Sequence, residues 1–171
     1  MPRFEQQRHK QPAPLKVPRG LIVACAPLRS NINLSRIVRT AGCCGVRQVI
    51  CCGTAKIIEK ISRDAVDEEN ESAVEIRVHR TLAPSLAALR RQGYRLVGLE
   101  QTTASENLHT FEFERRTVLV VGNERLGLAE EILAQLDHVV EIPVYGLPHA
   151  YNVATAAAMA LYEFCRQFPN G

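Results

Sequence analysis

Short apolar runs alternate with stretches of helical periodicity from Gly20 onward. Runs that are apolar throughout are typical of strands buried on both faces, and apolar residues three or four apart are typical of helices. Strands are predicted at residues 21–25, 46–52, 74–78, 94–99, 118–121 and 139–142. Helices are predicted at residues 33–44, 57–66, 82–91, 128–136 and from Asn152 onward. This alternation predicts an α/β fold, a mostly parallel sheet with helices on both faces.

The last predicted helix is apolar all round in its first half. Residues 153–161 are mostly alanine, and Asn152 is a residue type suited to accept backbone N–H bonds at a helix start. A helix apolar on every side is buried on every side, so we expect it between the sheet and another subunit. The run is shorter than the roughly 20 residues that span a bilayer, so no membrane partner is predicted.

Net charge divides the chain into two parts. Residues 1–20 carry +4, whereas the remainder carries −1. Four prolines also fall in this segment, so residues 1–19 are predicted to be a flexible basic arm and residues 20–171 one domain. The arm is either a solubility tail or an electrostatic tether to RNA. If it is only a solubility tail, RNA would have to bind to a basic face of the folded domain instead. Such a face would consist of Arg29, Arg36, Arg39 and Arg47.

The six cysteines include two adjacent pairs, Cys43-Cys44 and Cys51-Cys52, and no C-x-x-C spacing. Small buried thiols in a reducing compartment are the favoured interpretation, and no metal site is predicted. Without a recognisable signal peptide or transmembrane run, we expect a cytoplasmic protein.

Three strand ends lead into loops rich in glycine, proline, amides and charges. In parallel sheets, ligands bind beyond the carboxyl ends of strands. None of these loops has the G-x-G-x-x-G spacing of dinucleotide sites or a P-loop. Taken singly, each is compatible with ordinary turn chemistry.

Together the three loops resemble the ordered motifs of the SpoU/TrmH family of RNA 2′-O-ribose methyltransferases, in the SPOUT superfamily. The matching stretches are NLSRIVRTAGCCG at residues 33–45, VVGNERLGL at residues 120–128 and IPVYGLPHAYNVA at residues 142–154. The GNER form, with EQT at residues 100–102, is closest to the branch of tRNA guanosine 2′-O-methyltransferase domains.

This resemblance implies a SPOUT fold with a C-terminal deep trefoil knot, a homodimer, and a tRNA or rRNA substrate. It also implies that S-adenosyl-L-methionine is the cofactor. The expected cofactor-binding residues are Leu99, Glu100, Gly122, Ile142 and Tyr151.

The resemblance places the catalytic residues at Arg39, Asn33, Glu124 and Asn152. The family's arginine is often assigned as general base. A guanidinium is always protonated near neutral pH, so we interpret Arg39 as a half-buried cation that stabilises a developing alkoxide or clamps a phosphate. Asn33 and Asn152 would orient the ribose and Arg39, and Glu124 would pair with a cation or fix the motif loop.

One departure leaves an alternative open. The family usually reads SLNVS where this chain has Ala150-Tyr151-Asn152-Val153-Ala154, so both serine hydroxyls are absent. His149 beside the gap is a candidate proton acceptor, although an exposed loop histidine is the plainer interpretation. The alternatives are a catalytically inactive SPOUT module that binds RNA or protein, and, if the motif match is accidental, an unrelated doubly wound nucleotide-binding protein.

Overall fold

A seven-stranded, all-parallel sheet forms the centre of the molecule, with the order β3-β2-β1-β6-β4-β7-β5. A computed structural model describes residues 3–7, 10–52 and 74–171. The strands are β1 Leu21–Cys25, β2 Gln48–Cys52, β3 Glu75–His79, β4 Arg95–Leu99, β5 Glu106–Asn107, β6 Thr117–Val121 and β7 His138–Glu141. The described helices are α1 Asn31–Cys43, α2 Ala83–Arg91, α3 Glu130–Leu133 and α4 Val153–Gln167.

The central strands are buried on both faces because each face is covered by helices. Val23 and Leu119 point to the same side as the apolar residues of α1 and α4. Ile22 and Val118, their neighbours in sequence, point to the side covered by α2 and α3. Since side chains alternate along a strand, a continuous apolar run fills two cores at once.

Capping residues set the start of the two helices on the first face. The Ser30 side chain accepts a hydrogen bond from the Asn33 N–H and begins α1. The Asn152 side chain accepts from the N–H groups of Ala154 and Thr155 and begins α4, as predicted.

Some element boundaries differ from the prediction. The helix predicted at residues 128–136 is only the single turn α3, because Leu128 and Leu136 pack against the sheet from irregular segments on either side. The two-residue strand β5 was missed, since Glu106–Asn107 lacks an apolar pattern. The helix predicted at residues 57–66 lies outside the described residues.

The first half of α4 was predicted to be buried between the sheet and another subunit, and in the single chain one side of the helix is buried and the other is exposed. Ala157 is fully buried within the chain's own core, against α1 and the sheet. Met159 and Tyr162 lie on the outer face and are exposed. Among the described helices, none is both long enough and apolar enough to cross a membrane.

The end of the basic N-terminal segment contacts the C-terminus. The backbone N–H groups of Lys16 and Val17 donate to the Asn170 carbonyl, and Arg19 Nη1 donates to the Phe168 carbonyl at 2.7 Å. Arg19 is buried, so this last part of the segment packs on the folded domain.

Candidate functional site

The carboxyl ends of β4, β6 and β7 surround a cavity of about 330 Å³. These three strands are parallel, and β4 lies between the other two, so their following loops meet at one edge of the sheet. The wall opposite the strand ends is the start of α4, where Val153 and Ala156 line the cavity.

All five residues expected to bind the cofactor line this cavity. Leu99 and Glu100 come from the end of β4, Gly122 follows β6, and Ile142 and Tyr151 flank the loop between β7 and α4. Leu99 and Gly122 are buried, whereas Tyr151 is exposed at the rim. The sequence motifs therefore identify residues that the fold brings together from three separate segments.

The turn after β6 is closed by its own backbone and by one side chain. Asn123 and Gly127 exchange backbone hydrogen bonds, and Asn123 Oδ1 accepts from the N–H groups of Arg125 and Leu126. Gly127 has φ +63°, the left-handed region that favours glycine. A Cβ on Gly122 would lie 2.7 Å from the Gly127 carbonyl carbon, so this close approach also requires glycine.

Glu100 joins two of the cavity loops. One carboxylate oxygen accepts from the Leu128 N–H and the other from the Gln101 N–H, each at 3.0 Å. The Glu100 carboxylate therefore ties the end of β4 to the end of the turn after β6. Its position on the cavity agrees with the expectation, but its hydrogen bonds within the chain indicate that it shapes the site.

Glu124 holds the segment that leads into α1. Its carboxylate accepts from the N–H groups of Arg29 and Ser30 and from Asn33 Nδ2, at 2.9–3.0 Å. Burial by itself would raise the pKa of Glu124, but these hydrogen bonds, with one from its own backbone, outweigh it and lower that pKa to about 2. The lowered pKa keeps Glu124 ionised at neutral pH, and its hydrogen bonds indicate that it fixes the motif loop.

Asn33 connects Glu124 to the start of α4. Asn33 is buried, and its Oδ1 accepts from Asn152 Nδ2 at 3.3 Å while its Nδ2 donates to Glu124. Asn152 lies on the cavity and also caps α4. Three of the four expected catalytic residues therefore form one polar network, Glu124–Asn33–Asn152, which joins α1, α4 and the turn after β6.

Arg39 lies apart from this network. It is exposed on α1, so the expectation of a half-buried arginine was wrong, and it is absent from the residues that line the cavity. Its side chain makes no hydrogen bond or ion pair with any described residue. The same holds for the side chains of the exposed Arg29, Arg36 and Arg47.

Two features of the cavity were missed from the sequence. Arg125 lines it with an exposed cation, and Ala156 lines it one turn into α4. The position of Arg125 inside the GNER motif was the available signal for the first; the second required the packing of α4. In the part of the chain that the structure describes, no three His, Cys, Asp or Glu side chains are grouped as a metal site would need.

The missing serine hydroxyls fall in different environments. Ala154 is buried in the core, whereas Ala150 is exposed and lines the cavity. A hydroxyl at residue 150 would therefore face the cavity. His149 is exposed in the same loop and does not line the cavity, although Gln101 Nε2 donates to its carbonyl at 3.5 Å.

A sequence model of the SpoU rRNA Methylase family matches residues 20–162, and the chain belongs to this family. The matched region contains the whole cavity and the polar network. It leaves out the basic N-terminal segment and the end of α4.

Curated relatives agree with this assignment. The tRNA (guanosine(18)-2'-O)-methyltransferase of Escherichia coli (strain K12) is 30% identical over 150 residues, which cover 88% of this chain and 65% of the relative. A protein of the same name from Aquifex aeolicus (strain VF5) is 30% identical over 149 residues, covering 87% of this chain and 70% of the relative. This chain thus spans less than two thirds of the Escherichia coli relative's length.

Solved structures share the fold. The A. aeolicus TrmH/SpoU tRNA modifying enzyme matches with a TM-score of 0.76 at 30% identity, covering 88% of this chain and 76% of that one. The SpoU methyltransferase AviRb from Streptomyces viridochromogenes, solved in complex with the cofactor AdoMet, matches with a TM-score of 0.74, covering 88% of this chain and 58% of that one. At 24% identity this second likeness shows the fold alone.

Proposed function

We propose that this chain is an S-adenosyl-L-methionine-dependent methyltransferase that modifies a ribose 2′-hydroxyl in tRNA or rRNA. The observation that carries the proposal is the meeting of three segments at one cavity, beside the network Glu124–Asn33–Asn152: the end of β4, the turn after β6, and the loop between β7 and α4. A cavity of about 330 Å³ lined by both apolar and polar residues falls in the size range of small-molecule and cofactor sites. The named relatives act on tRNA, and this supports an RNA substrate.

In our proposal, different residues of this chain bind the cofactor and stabilise the reacting ribose oxygen. Leu99, Gly122, Ile142 and Tyr151 would hold the cofactor, and the carboxylate of Glu100 would keep their loops in register. Methyl transfer needs the ribose oxygen aligned with the methyl carbon and stabilised as it loses its proton. A guanidinium suits the second task, and the resemblance to the family assigns that task to Arg39, which lies outside the cavity of the single chain.

The inactive-module alternative is not favoured. Glu124, Asn33 and Asn152 retain a fully hydrogen-bonded arrangement. Of the two absent hydroxyls, that at Ala154 would lie in the core and that at Ala150 would face the cavity. Compared with the usual family motif, the cavity therefore lacks only one hydroxyl, the one at residue 150.

Methyl transfer from labelled cofactor to total tRNA and to rRNA tests the proposal, followed by nuclease digestion and identification of the labelled nucleoside. We expect label in a 2′-O-methylated nucleoside. Cofactor binding without transfer would establish the inactive module instead, and label on a base would contradict the assigned chemistry.

A cavity-filling variant links this activity to the site. Ala156→Leu should block cofactor binding in calorimetry because its side chain would project into the cavity from α4. Ala156→Ser is the matched control, since its volume is close to that of alanine and binding should persist. Equal cofactor affinity of the two variants would place the cofactor elsewhere.

We also propose a homodimer and the knotted C-terminal topology. Exposed apolar side chains occur in the loop before α4, at Tyr145, Leu147 and Tyr151, and on α4 itself, at Met159 and Tyr162. Several large exposed apolar side chains on a small domain are typical of an interface. For the knot, the supporting observation is that β6 lies between β1 and β4, and β7 lies on the other side of β4.

Sedimentation tests the dimer. Tyr162→Glu should give a folded monomer, because Tyr162 is 74% exposed in the single chain. A wild-type chain that sediments as a monomer at micromolar concentration would contradict the dimer.

A further inference from the structure

Three of the six cysteines lie in the sheet, and three lie at the far end of the α1–α4 pair from the polar network. Cys25, Cys51 and Cys52 are buried in β1 and β2, where burial raises the pKa of each thiol. Cys43 is exposed, and Cys44 and Cys165 are half-buried. The second group lies where a small reagent can reach it.

Cys44 and Cys165 are neighbours in space although 121 residues separate them in sequence. Cys165 Sγ lies 3.7 Å from the Cys44 carbonyl oxygen, and the Cys165 thiol donates to that carbonyl. Asn33 contacts Asn152 at the beginnings of α1 and α4, and this thiol pair joins their ends. The two helices are therefore held together at both ends, by amides at one and by thiols at the other.

A buried arginine, Arg19, is close enough to this thiol pair to act electrostatically on both thiols. Arg19 is 8% exposed, and its Nε is buried with no hydrogen-bond partner among the described residues. Leaving a charged donor buried and unpaired is unfavourable unless a negative group is close by. A thiolate on Cys165 would supply that negative charge.

The electrostatics favour Cys165 as the reactive member. The neighbouring Cys44 side chain and, more weakly, the Arg19 guanidinium lower the pKa of Cys165 against the effect of burial, and the pKa of Cys44 is raised by the same pairing. A low-pKa, accessible thiol next to a second thiol is the arrangement found in redox-sensitive proteins.

We propose that Cys165 and Cys44 are a hydroperoxide-sensitive thiol pair that closes to an intramolecular disulfide between the end of α1 and α4. The Cys165 thiolate attacks a peroxide oxygen, an S–O bond forms, the O–O bond breaks, and water leaves after protonation. Cys44 sulfur then attacks the Cys165 sulfenic acid, the S–S bond forms, and the hydroxyl leaves as a second water. Two thiols are oxidised and one peroxide is reduced. None of these residues lines the cavity, so the proposal is independent of the proposed function.

The test is treatment of the reduced, full-length protein with hydrogen peroxide, then thiol blocking and non-reducing peptide mapping. We expect a peptide pair joined through Cys44 and Cys165 within one chain, reversed by dithiothreitol. The link should persist in Cys43→Ser, the matched control, and vanish in Cys165→Ser. In Cys44→Ser, a sulfenic-acid probe should label Cys165. A link through Cys43, a link between chains, or no link in folded protein would overturn the proposal.

Two further measurements distinguish a specific Cys44–Cys165 redox pair from non-specific oxidation of exposed cysteines. The disulfide would close a long loop, so the oxidised protein should melt about 5–10 °C higher than the reduced one. Arg19→Met should slow alkylation of Cys165 at pH 7 by roughly fivefold and leave Cys43 unchanged. An oxidised form that melts lower, or equal alkylation rates in both proteins, would also count against the proposal.

Discussion

The polar network Glu124–Asn33–Asn152 and the exposed Arg36 and Arg39 are built from residues of the family motifs but have opposite environments. Every functional group of Glu124 and Asn33 has a partner within the chain. By contrast, the Arg39 side chain is exposed and contacts no polar group of the described residues. Both sets belong to the same family motifs.

This difference separates residues that shape the site from residues left free to act on a substrate. A carboxylate that already accepts from three donors gains little from a fourth, and removing it leaves those donors unsatisfied. An exposed guanidinium contributes little to folding, yet it is available for a phosphate or a developing oxyanion. The predictions below follow from this division, from the largest expected effect to the smallest.

Arg39→Ala should reduce methyl transfer by about 10²- to 10³-fold, the usual effect of removing a group that stabilises an oxyanion. The melting temperature should stay unchanged, because the Arg39 side chain is exposed. Single-turnover rates and thermal melts measure the two effects. If Arg39→Ala lowered the melting temperature as well as the activity, Arg39 would contribute to folding as the network residues do, and the proposed division of roles would be wrong.

Arg39→Lys separates the two roles considered for this residue. A fixed cation predicts measurable activity and a pH–rate profile that stays in place, since both side chains are charged near neutral pH. A titrating base predicts a shift of the basic limb towards the lysine pKa. Such a shift would restore the general-base assignment.

Glu124→Gln should destabilise the fold by roughly 2–3 kcal/mol at pH 7, because the pKa of Glu124 is lowered to about 2 in the folded chain. This contribution is fully present above the unfolded pKa near 4.5 and is lost as the pH falls through about 2. Urea unfolding of both proteins between pH 2 and 7 measures it. The two curves should converge at low pH, and a constant separation would mean that the charge of Glu124 is not responsible.

Asn152→Ala should cost about 1 kcal/mol through loss of the cap on α4. Asn152→Ser keeps a capping oxygen and loses only the donor to Asn33, so most of the stability should return. Denaturant midpoints of the two variants give the comparison. Equal losses would assign the effect to the link with Asn33 and not to the cap.

Removal of residues 1–14 should have the smallest effect, on RNA binding alone. The deletion takes away Arg3, Arg8 and Lys10 and keeps the packed residues Lys16 and Arg19. At roughly 0.7 in log–log slope per phosphate neutralised on single strands, the salt dependence should weaken by about 1.5–2. RNA affinity across a salt series measures this, with cofactor affinity as the unchanged control. Superimposable slopes would make the arm a solubility tail and leave the basic face of Arg29, Arg36, Arg39 and Arg47 as the RNA contact.

The sequence by itself determined the local elements and the identity of the motif loops. Continuous apolar runs such as that of β6 specify buried strands, and Asn152 specifies the start of α4, because these signals act over a few residues. The resemblance to the family singled out Leu99, Gly122, Ile142 and Tyr151, and these residues line one cavity.

Only the tertiary structure decided what each polar side chain contacts. Asn33 and Glu124 are 91 residues apart, and Cys44 and Cys165 are 121 residues apart, so their pairing depends on how α1 and α4 pack on the sheet. The same packing buries Ala157 and leaves Arg39 exposed, although both lie among apolar residues in the sequence. The periodicity of a sequence shows which residues share one face of a helix. It does not show what packs against that face, because the packing residues come from distant parts of the chain.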